Sequence, residues 1–278
     1  MTGTLYRPAA VAIAALVCTV GVRSQDGGVD ARALSALEQM RAAYLSADAL
    51  HIRVTWTARY EGIPSYEAPL GPDVFELRMQ RPNKFYMEAS STRGERPSRY
   101  VIVSDGTDLW YWRSVPNTYI QVAAPATLRD LPALLPEDAI GTFDGLTWTN
   151  DDISEWDLLV DDDDVDQSGP PDDDGIAITL GTPTKIGSTA VDVVKMTSRP
   201  ASSQMPFEFE QTYYLSASTH LIQGSLLIDR GIYDVTGKPF RITKRAVYDV
   251  LETHPRFTAV DFTFTPPPGA KIASTRMR

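Results

Sequence analysis

The chain has 278 residues, one cysteine, and 26 basic against 36 acidic residues, which give a net charge of −10. This length is enough for one large domain or two small ones with a substantial core. The acidic excess belongs to one stretch, because residues 130–184 contain no Lys or Arg. No basic stripe is present to neutralise phosphates, so the composition excludes nucleic acid as an expected partner.

The N-terminus has the layout of a secretory signal peptide. Arg7 is followed by an apolar run over residues 9–20, which is too short to cross a bilayer as a mature helix. Small residues favour cleavage after Ser24 or after Gly21, so we predict a signal peptide over 1–24 and an exported chain, periplasmic or extracytoplasmic. The alternative is an apolar N-terminus that stays attached and tethers the chain. Cleavage would remove Cys18 and leave a mature chain without disulfides.

Residues 29–47 predict one amphipathic helix. Asp30 stands at the N-cap position. The residues that recur at spacings of three and four are Leu34, Leu37, Met40, Arg41, Tyr44 and Leu45. Alternating apolar and polar residues then predict an antiparallel meander with strands at 50–60, 75–80 and 84–90, followed by three short strands within 99–122, the middle one at 108–113. The Asp105-Gly106 pair favours a type I′ turn between the first two of these three strands, and Pro116-Asn117 supplies the second turn.

The strand 108–113 is apolar on both faces, because Leu109, Trp110, Tyr111 and Trp112 follow one another. Such a strand must be covered on both faces. Either it is a core strand, or one of its faces lines an apolar pocket.

The second half of the chain contains an insert and a further set of strands. Leu-rich pieces punctuated by Pro predict short helices over 123–150, and the Asp-rich residues 151–175 predict an acidic, flexible surface loop. Strands are predicted at 175–181, 190–198, 207–215, 220–229, 239–251 and 257–264. One face of the strand 239–251 carries Phe240, Ile242, Ala246, Tyr248 and Val250, and the last strand carries Val260, Phe262 and Phe264.

Several motifs follow one another in an order that is typical of one family. The helix contains Leu37-Glu38-Gln39-Met40, and the meander contains R-P-N-K-F at 81–85 and S-D-G-x-x-L-W-x-W at 104–112. The chain closes with V-D-F-x-F-x-P-P-x-G-A-K at 260–271. Together these motifs resemble the LolA/LolB-like superfamily of outer-membrane lipoprotein carriers, and its exported branches in particular.

The resemblance implies an α+β fold that is mainly antiparallel β. It implies a strongly curved, incomplete β-barrel of about 10–11 strands, with helices covering the open side and an apolar cavity between them. Residues 25–278 would then form a single LolA-like domain, with 151–175 as its insert. Members of the superfamily carry acylated lipoproteins or bind lipids.

Catalytic and metal motifs are not found in the sequence. It has no Gly-x-Ser-x-Gly elbow, Walker loop or Gly-x-Gly-x-x-Gly, and its three histidines are far apart. We therefore predict no enzyme activity, no catalytic residues and no cofactor. Asp162, Asp164 and Asp166 alternate like the first ligands of a calcium loop, but Gln167 replaces the required Gly. The alternatives for them are weak Ca²⁺ binding and a solvated acidic loop.

Aromatic residues of the predicted strands form the candidate set for a ligand cavity. Aromatic side chains either line a cavity for acyl chains or fill an ordinary core, and the sequence leaves both open. The set consists of Trp56, Tyr60, Phe75, Phe85, Trp110, Trp112, Tyr119, Phe209, Tyr213 and Tyr248.

Two functions are consistent with the sequence. The first is an exported soluble carrier or binder of an acyl-bearing ligand, either a lipid or a lipoprotein anchor, and the resemblance favours it. The second is a cell-envelope sensor or interaction module that binds a protein partner through the curved sheet and the acidic insert.

Overall fold

The computed structural model describes residues 28–63, 70–91, 98–127, 130–131, 134, 177–197, 208–233 and 236–273. The predicted signal peptide, the acidic insert 151–175 and the candidate calcium ligands Asp162, Asp164 and Asp166 lie outside these described residues. The predicted division into domains therefore stays a prediction.

One α-helix, one short 3-10 helix and one large sheet make up the described fold. The helix α1 spans Ala31–Leu45. The strands are β1 Ala49–Glu61, β2 Leu70–Gln80, β3 Lys84–Ser91, β4 Ser98–Asp105, β5 Asp108–Arg113, β6 Thr118–Ala123, β7 Ala177–Leu180, β8 Thr184–Ile186, β9 Thr189–Thr197, β10 Glu208–Ser216, β11 Ile222–Tyr233, β12 Lys238–Glu252 and β13 Lys271–Ile272.

The sheet is a single curved layer that does not close. Its 13 strands run in the order β13-β6-β5-β4-β3-β2-β1-β12-β11-β10-β9-β7, with β8 paired to β9 beside this path. All pairs are antiparallel except β13 with β6. Lying flat, it would be roughly 50 Å wide at about 4.8 Å per strand. Ile120 of β6 and Ile178 of β7 nevertheless belong to one hydrophobic core, as expected for a curved sheet. The predicted fold class is confirmed, with 13 strands in place of 10–11.

We call the side of the sheet that carries this core the inner face, and the opposite side the outer face. Period-two alternation assigns the residues of each strand to one or the other. On β1, for example, Leu50, Ile52 and Val54 are fully buried on the inner face, and Arg53 between them is exposed.

Helix α1 closes part of the inner face. The Asp30 carboxylate caps it by accepting a hydrogen bond from the backbone N–H of Arg32 at 2.8 Å. That hydrogen bond lowers the pKa of Asp30. The helix buries Leu37, Met40 and Tyr44, and it packs mainly on β7 and β9.

The turn between β4 and β5 differs from the predicted type. Gly106 is the first residue of the loop between the strands and has a φ of 95°. Asp105, which precedes it, does not have a positive φ. A positive φ at the first loop residue alone is the pattern of a type II′ turn, not of type I′. The Asp105 carboxylate instead accepts hydrogen bonds from the backbone N–H groups of Thr107 and Asp108, at 2.7 and 2.8 Å.

The predicted strand 257–264 is wrong. Residues Ala259–Phe262 form a 3-10 helix, which a capping box between Thr258 and Asp261 starts. The chain then continues without regular structure until β13, which extends the edge of the sheet beside β6. We call residues 257–273 the C-terminal segment.

The residues predicted to share one face of β12 do share it, except Val250 near the end of the strand. A register shift opposite Arg53 and Val54 inserts one extra residue, so Tyr248 pairs with Val54 while Val250 pairs with Arg53. This bulge places Val250 on the outer face, because an extra residue reverses the alternation.

Candidate functional site

The structure divides the predicted aromatic residues between the two faces of the sheet. Trp56, Phe75, Phe85 and Tyr213 are buried in the inner core, with Phe209 and Tyr248 packed against it. Tyr60 follows Trp56 on the inner side of β1 and is half-buried. Trp112 belongs to a separate outer cluster, against which Trp110 and Tyr119 pack. One cavity cannot be lined by both groups, because the sheet lies between them.

The outer aromatic residues are covered by the C-terminal segment. The ring of Phe264 lies 6.2 Å from that of Trp110 and 6.0 Å from that of Tyr119, measured between centroids. Ala270 completes this cluster. The doubly apolar strand β5 is therefore covered on both faces, since its Leu109 and Tyr111 lie in the inner core.

A charged network on the outer face holds the same segment. Arg78 donates to Glu76 at 2.6 Å, and its guanidinium lies 3.9 Å from the Asp261 carboxylate. The imidazole of His51 lies 3.2 Å from Glu76 and makes an edge contact with Phe257. Burial acts to raise the pKa of Glu76, but the hydrogen bonds and charges of Arg78 and His51 outweigh it and lower that pKa.

A second set of hydrogen-bonded side chains on the outer face connects β3 to β4. The Tyr86 hydroxyl donates to Glu88, which also forms a bidentate pair with Arg99 at 2.6 and 2.7 Å. Burial, and then the hydrogen bond to Glu88, raise the pKa of Tyr86 to about 12. These charges are matched on the surface and stabilise strand pairing, so they offer no reactive group.

The inner face differs, because polar side chains are buried on it among aromatic ones. Asp73 of β2 pairs with Trp56, and Asp229 of β11 pairs with Phe209. Only 2% of Asp73 and 1% of Asp229 is exposed to solvent. Lys244 of β12 pairs with Ala58 of β1, so it adds a basic side chain to this set of polar residues. Asp73, Asp229 and Lys244 are each engaged in interactions of their own.

Gln211 of β10 is the other buried polar residue of this region. It is 2% exposed, and it pairs with Leu227 of β11 and Met196 of β9. Neither its amide nitrogen nor its amide oxygen has a hydrogen-bond partner among the described residues. An amide buried in this way is unusual and requires an explanation.

The candidate site is therefore the part of the inner face that carries Asp73, Asp229, Gln211 and Lys244. It combines apolar and aromatic walls with a few buried polar groups, which is the usual composition of a small-molecule site. Its polar members were not predicted from the sequence, although a signal is present. Gln211 has the same strand parity as Phe209, Tyr213 and Leu215, so it interrupts an otherwise apolar stripe.

Within the described part of the chain, no three His, Cys, Asp or Glu side chains lie close enough to hold a metal ion. The described helices include none that is long and apolar enough to cross a membrane.

Comparison with protein families gives a match to the first half of the fold. Residues 33–142 match the family described as "Predicted periplasmic protein (DUF2092)". This range starts in α1 and continues past β6. The description confirms the predicted periplasmic or extracytoplasmic location. Comparison with curated proteins finds no match.

Three solved structures are similar to the chain. An uncharacterized conserved protein from Thermus thermophilus has 7% identity and a TM-score of 0.40, over 87% of this chain and 98% of that one. LprF from Mycobacterium bovis has 12% identity and a TM-score of 0.39, over 82% and 98%. The LolA superfamily protein NE2245 from Nitrosomonas europaea has 12% identity and a TM-score of 0.27, over 84% and 97%.

Proposed function

We propose that the protein is an exported carrier or binder of an acyl-bearing ligand, held against the inner face of the sheet. The ligand is a lipid or the acyl anchor of a lipoprotein. The observation that carries the proposal is the burial of Asp73, Asp229 and Gln211 among aromatic and aliphatic side chains of this face.

Buried carboxylates and amides are not required in a core that only stabilises the fold. Burying a carboxylate or an amide away from water costs free energy, which hydrogen bonds offset only in part. A binding site accepts that cost because a few polar groups orient a ligand whose remaining surface is apolar. The predicted resemblance to lipoprotein carriers favours the same class of ligand.

The energetics of an acyl chain favour binding at such a face. Removing a methylene group from water stabilises the complex by about 0.8 kcal/mol, so a chain of about ten carbons contributes roughly 8 kcal/mol. The cost of association and of ordering the chain is subtracted from this gain. We propose binding and not catalysis, because the sequence lacks the nucleophile and cofactor motifs of the common enzyme classes.

Native mass spectrometry with organic extraction tests this proposal. The protein is expressed with its own N-terminus and purified from the exported fraction. We expect bound lipid in near-stoichiometric amount. A protein that carries no lipid, and takes none up from mixed bacterial lipids, would contradict the proposal.

A matched pair of variants locates the bound lipid. Ala58 is 8% exposed on the inner side of β1, and the adjacent Thr57 is exposed on the outer side. Ala58→Leu adds volume at the proposed site and is expected to reduce bound lipid several-fold. Thr57→Leu adds a similar apolar side chain to the other face and should leave lipid content unchanged. Circular dichroism confirms that both variants are folded.

A further inference from the structure

We propose that the side-chain amide of Gln211 is the hydrogen-bonding anchor for the ligand's neutral polar group. That group is an ester flanked by a hydroxyl, as in an acylglycerol. This inference rests on the proposed function and specifies which end of the ligand this region recognises.

The position of Gln211 follows from the strand register. Tyr213 and Leu215 of the same strand lie in the inner core, and the β9 pairing continues without a bulge from Gln211 through both of them. Gln211 therefore points to the inner face. Its direct neighbours across the sheet, Leu227 and Met196, are apolar side chains that cannot satisfy an amide.

The hydrogen-bonding capacity of this amide defines what can bind to it. A glutamine side chain offers two N–H donors and one carbonyl acceptor. Both its nitrogen and its oxygen are buried without a hydrogen-bond partner among the described residues. A ligand group that matches it must therefore accept one hydrogen bond and donate another. An ester carbonyl next to a hydroxyl does both.

The charges around Gln211 favour a neutral group. The described acidic and basic residues of this region of the inner face are Asp73, Asp229 and Lys244. Acidic residues outnumber the one basic residue, so this region has no positive excess that would select an anion. An ionised carboxylate or a dianionic phosphate also has only acceptors, and it would leave the Gln211 oxygen unsatisfied. An acylglycerol therefore fits better than an ionised fatty acid with the same chain.

A comparison of monolaurin with laurate tests this assignment, because the two share one acyl chain and differ in the polar group. Delipidated full-length protein is titrated with each by isothermal calorimetry. The variants are Gln211→Met, which keeps the length of the side chain, and Gln211→Leu. Leu227→Met is the control, since it alters packing in the same row without changing polarity.

We expect the wild-type protein to bind monolaurin more tightly than laurate. Both Gln211 variants should lose about tenfold in affinity for monolaurin, the value of roughly one hydrogen bond. Their affinity for laurate should stay within about threefold, and Leu227→Met should retain the preference. A Gln211 variant that keeps the wild-type preference would overturn this inference alone. Failure of the wild-type protein to bind either compound would overturn the proposed function together with it.

Discussion

The indole nitrogen of Trp112 donates a hydrogen bond to the side-chain oxygen of Asn117 at 2.8 Å. The amide nitrogen of Asn117 in turn donates to the backbone carbonyl of Pro268 at 3.2 Å. The β5–β6 turn thus connects an outer-face aromatic residue to the C-terminal segment. This connection gives Trp112 a structural role.

Removing the Asn117 side chain should destabilise the fold without affecting lipid binding. Asn117→Ala removes both hydrogen bonds and leaves a largely buried indole N–H without its acceptor, so we expect a loss of about 1–2 kcal/mol in the free energy of unfolding. Urea denaturation measures the loss. Asn117→Asp keeps the acceptor for Trp112 and removes the donor to Pro268, so it should cost less. Equal stability of Asn117→Ala and the wild type would show that this connection has no structural role.

Replacing Gln211 with an apolar residue should stabilise the ligand-free protein. A buried polar group without a partner costs about 1–3 kcal/mol, and Gln211→Met removes that cost while keeping a side chain of similar length. We expect the delipidated variant to gain about 1 kcal/mol in urea unfolding. Gln121→Met, at an exposed position of β6, is the control and should change stability by less than about 0.5 kcal/mol. A destabilised Gln211→Met would mean that the amide has a structural partner.

The cap of the 3-10 helix should make the C-terminal segment sensitive to acid. The backbone N–H of Thr258 donates to the Asp261 carboxylate at 2.7 Å, and this hydrogen bond lowers the pKa of Asp261 from its ordinary value of 3.8. A lowered pKa in the folded state means that the stabilisation is complete above about pH 4 and is lost as the pH falls through the lowered value.

Asp261→Ala tests this dependence. The carboxylate is partly exposed to solvent, so we expect the variant to lose only a few tenths of a kcal/mol at pH 7. The difference in unfolding free energy between the variant and the wild type should stay constant down to about pH 5 and become smaller below pH 4. Glu38→Ala, at an exposed site on α1, should show no such change. A difference that grows as the pH falls would contradict the assignment.

The first half of the fold could be predicted closely from the sequence. In β1, β2 and β3 the residues of one face are buried and most of those of the other are partly exposed, so the apolar residues recur with period two and fix the faces of the strands. The pattern does not fix their limits, because β2 starts at Leu70 and not at residue 75. The cap of α1 at Asp30 was predictable for a similar local reason.

The features that were missed depend on contacts between distant parts of the chain. Val260, Phe262 and Phe264 alternate like a strand, but the capping box at Thr258 and Asp261 starts a 3-10 helix there. The sequence shows that β5 is apolar on both faces, but it does not show which of them the C-terminal segment covers. Gln211 has a polar side chain in an apolar stripe, and only the register with Leu227 shows that nothing polar lies directly opposite.

Quenching of tryptophan fluorescence by a bromine-labelled acyl chain reports on which face of the sheet the chain binds, because Trp56 lies on the inner face and Trp112 on the outer face. The labelled lipid is titrated into the wild-type protein, Trp56→Phe and Trp112→Phe. We predict saturable quenching in the wild type, loss of a large part of it in Trp56→Phe, and its retention in Trp112→Phe. Quenching that is lost in Trp112→Phe and retained in Trp56→Phe would place the acyl chain on the outer face and rule out binding at the inner face.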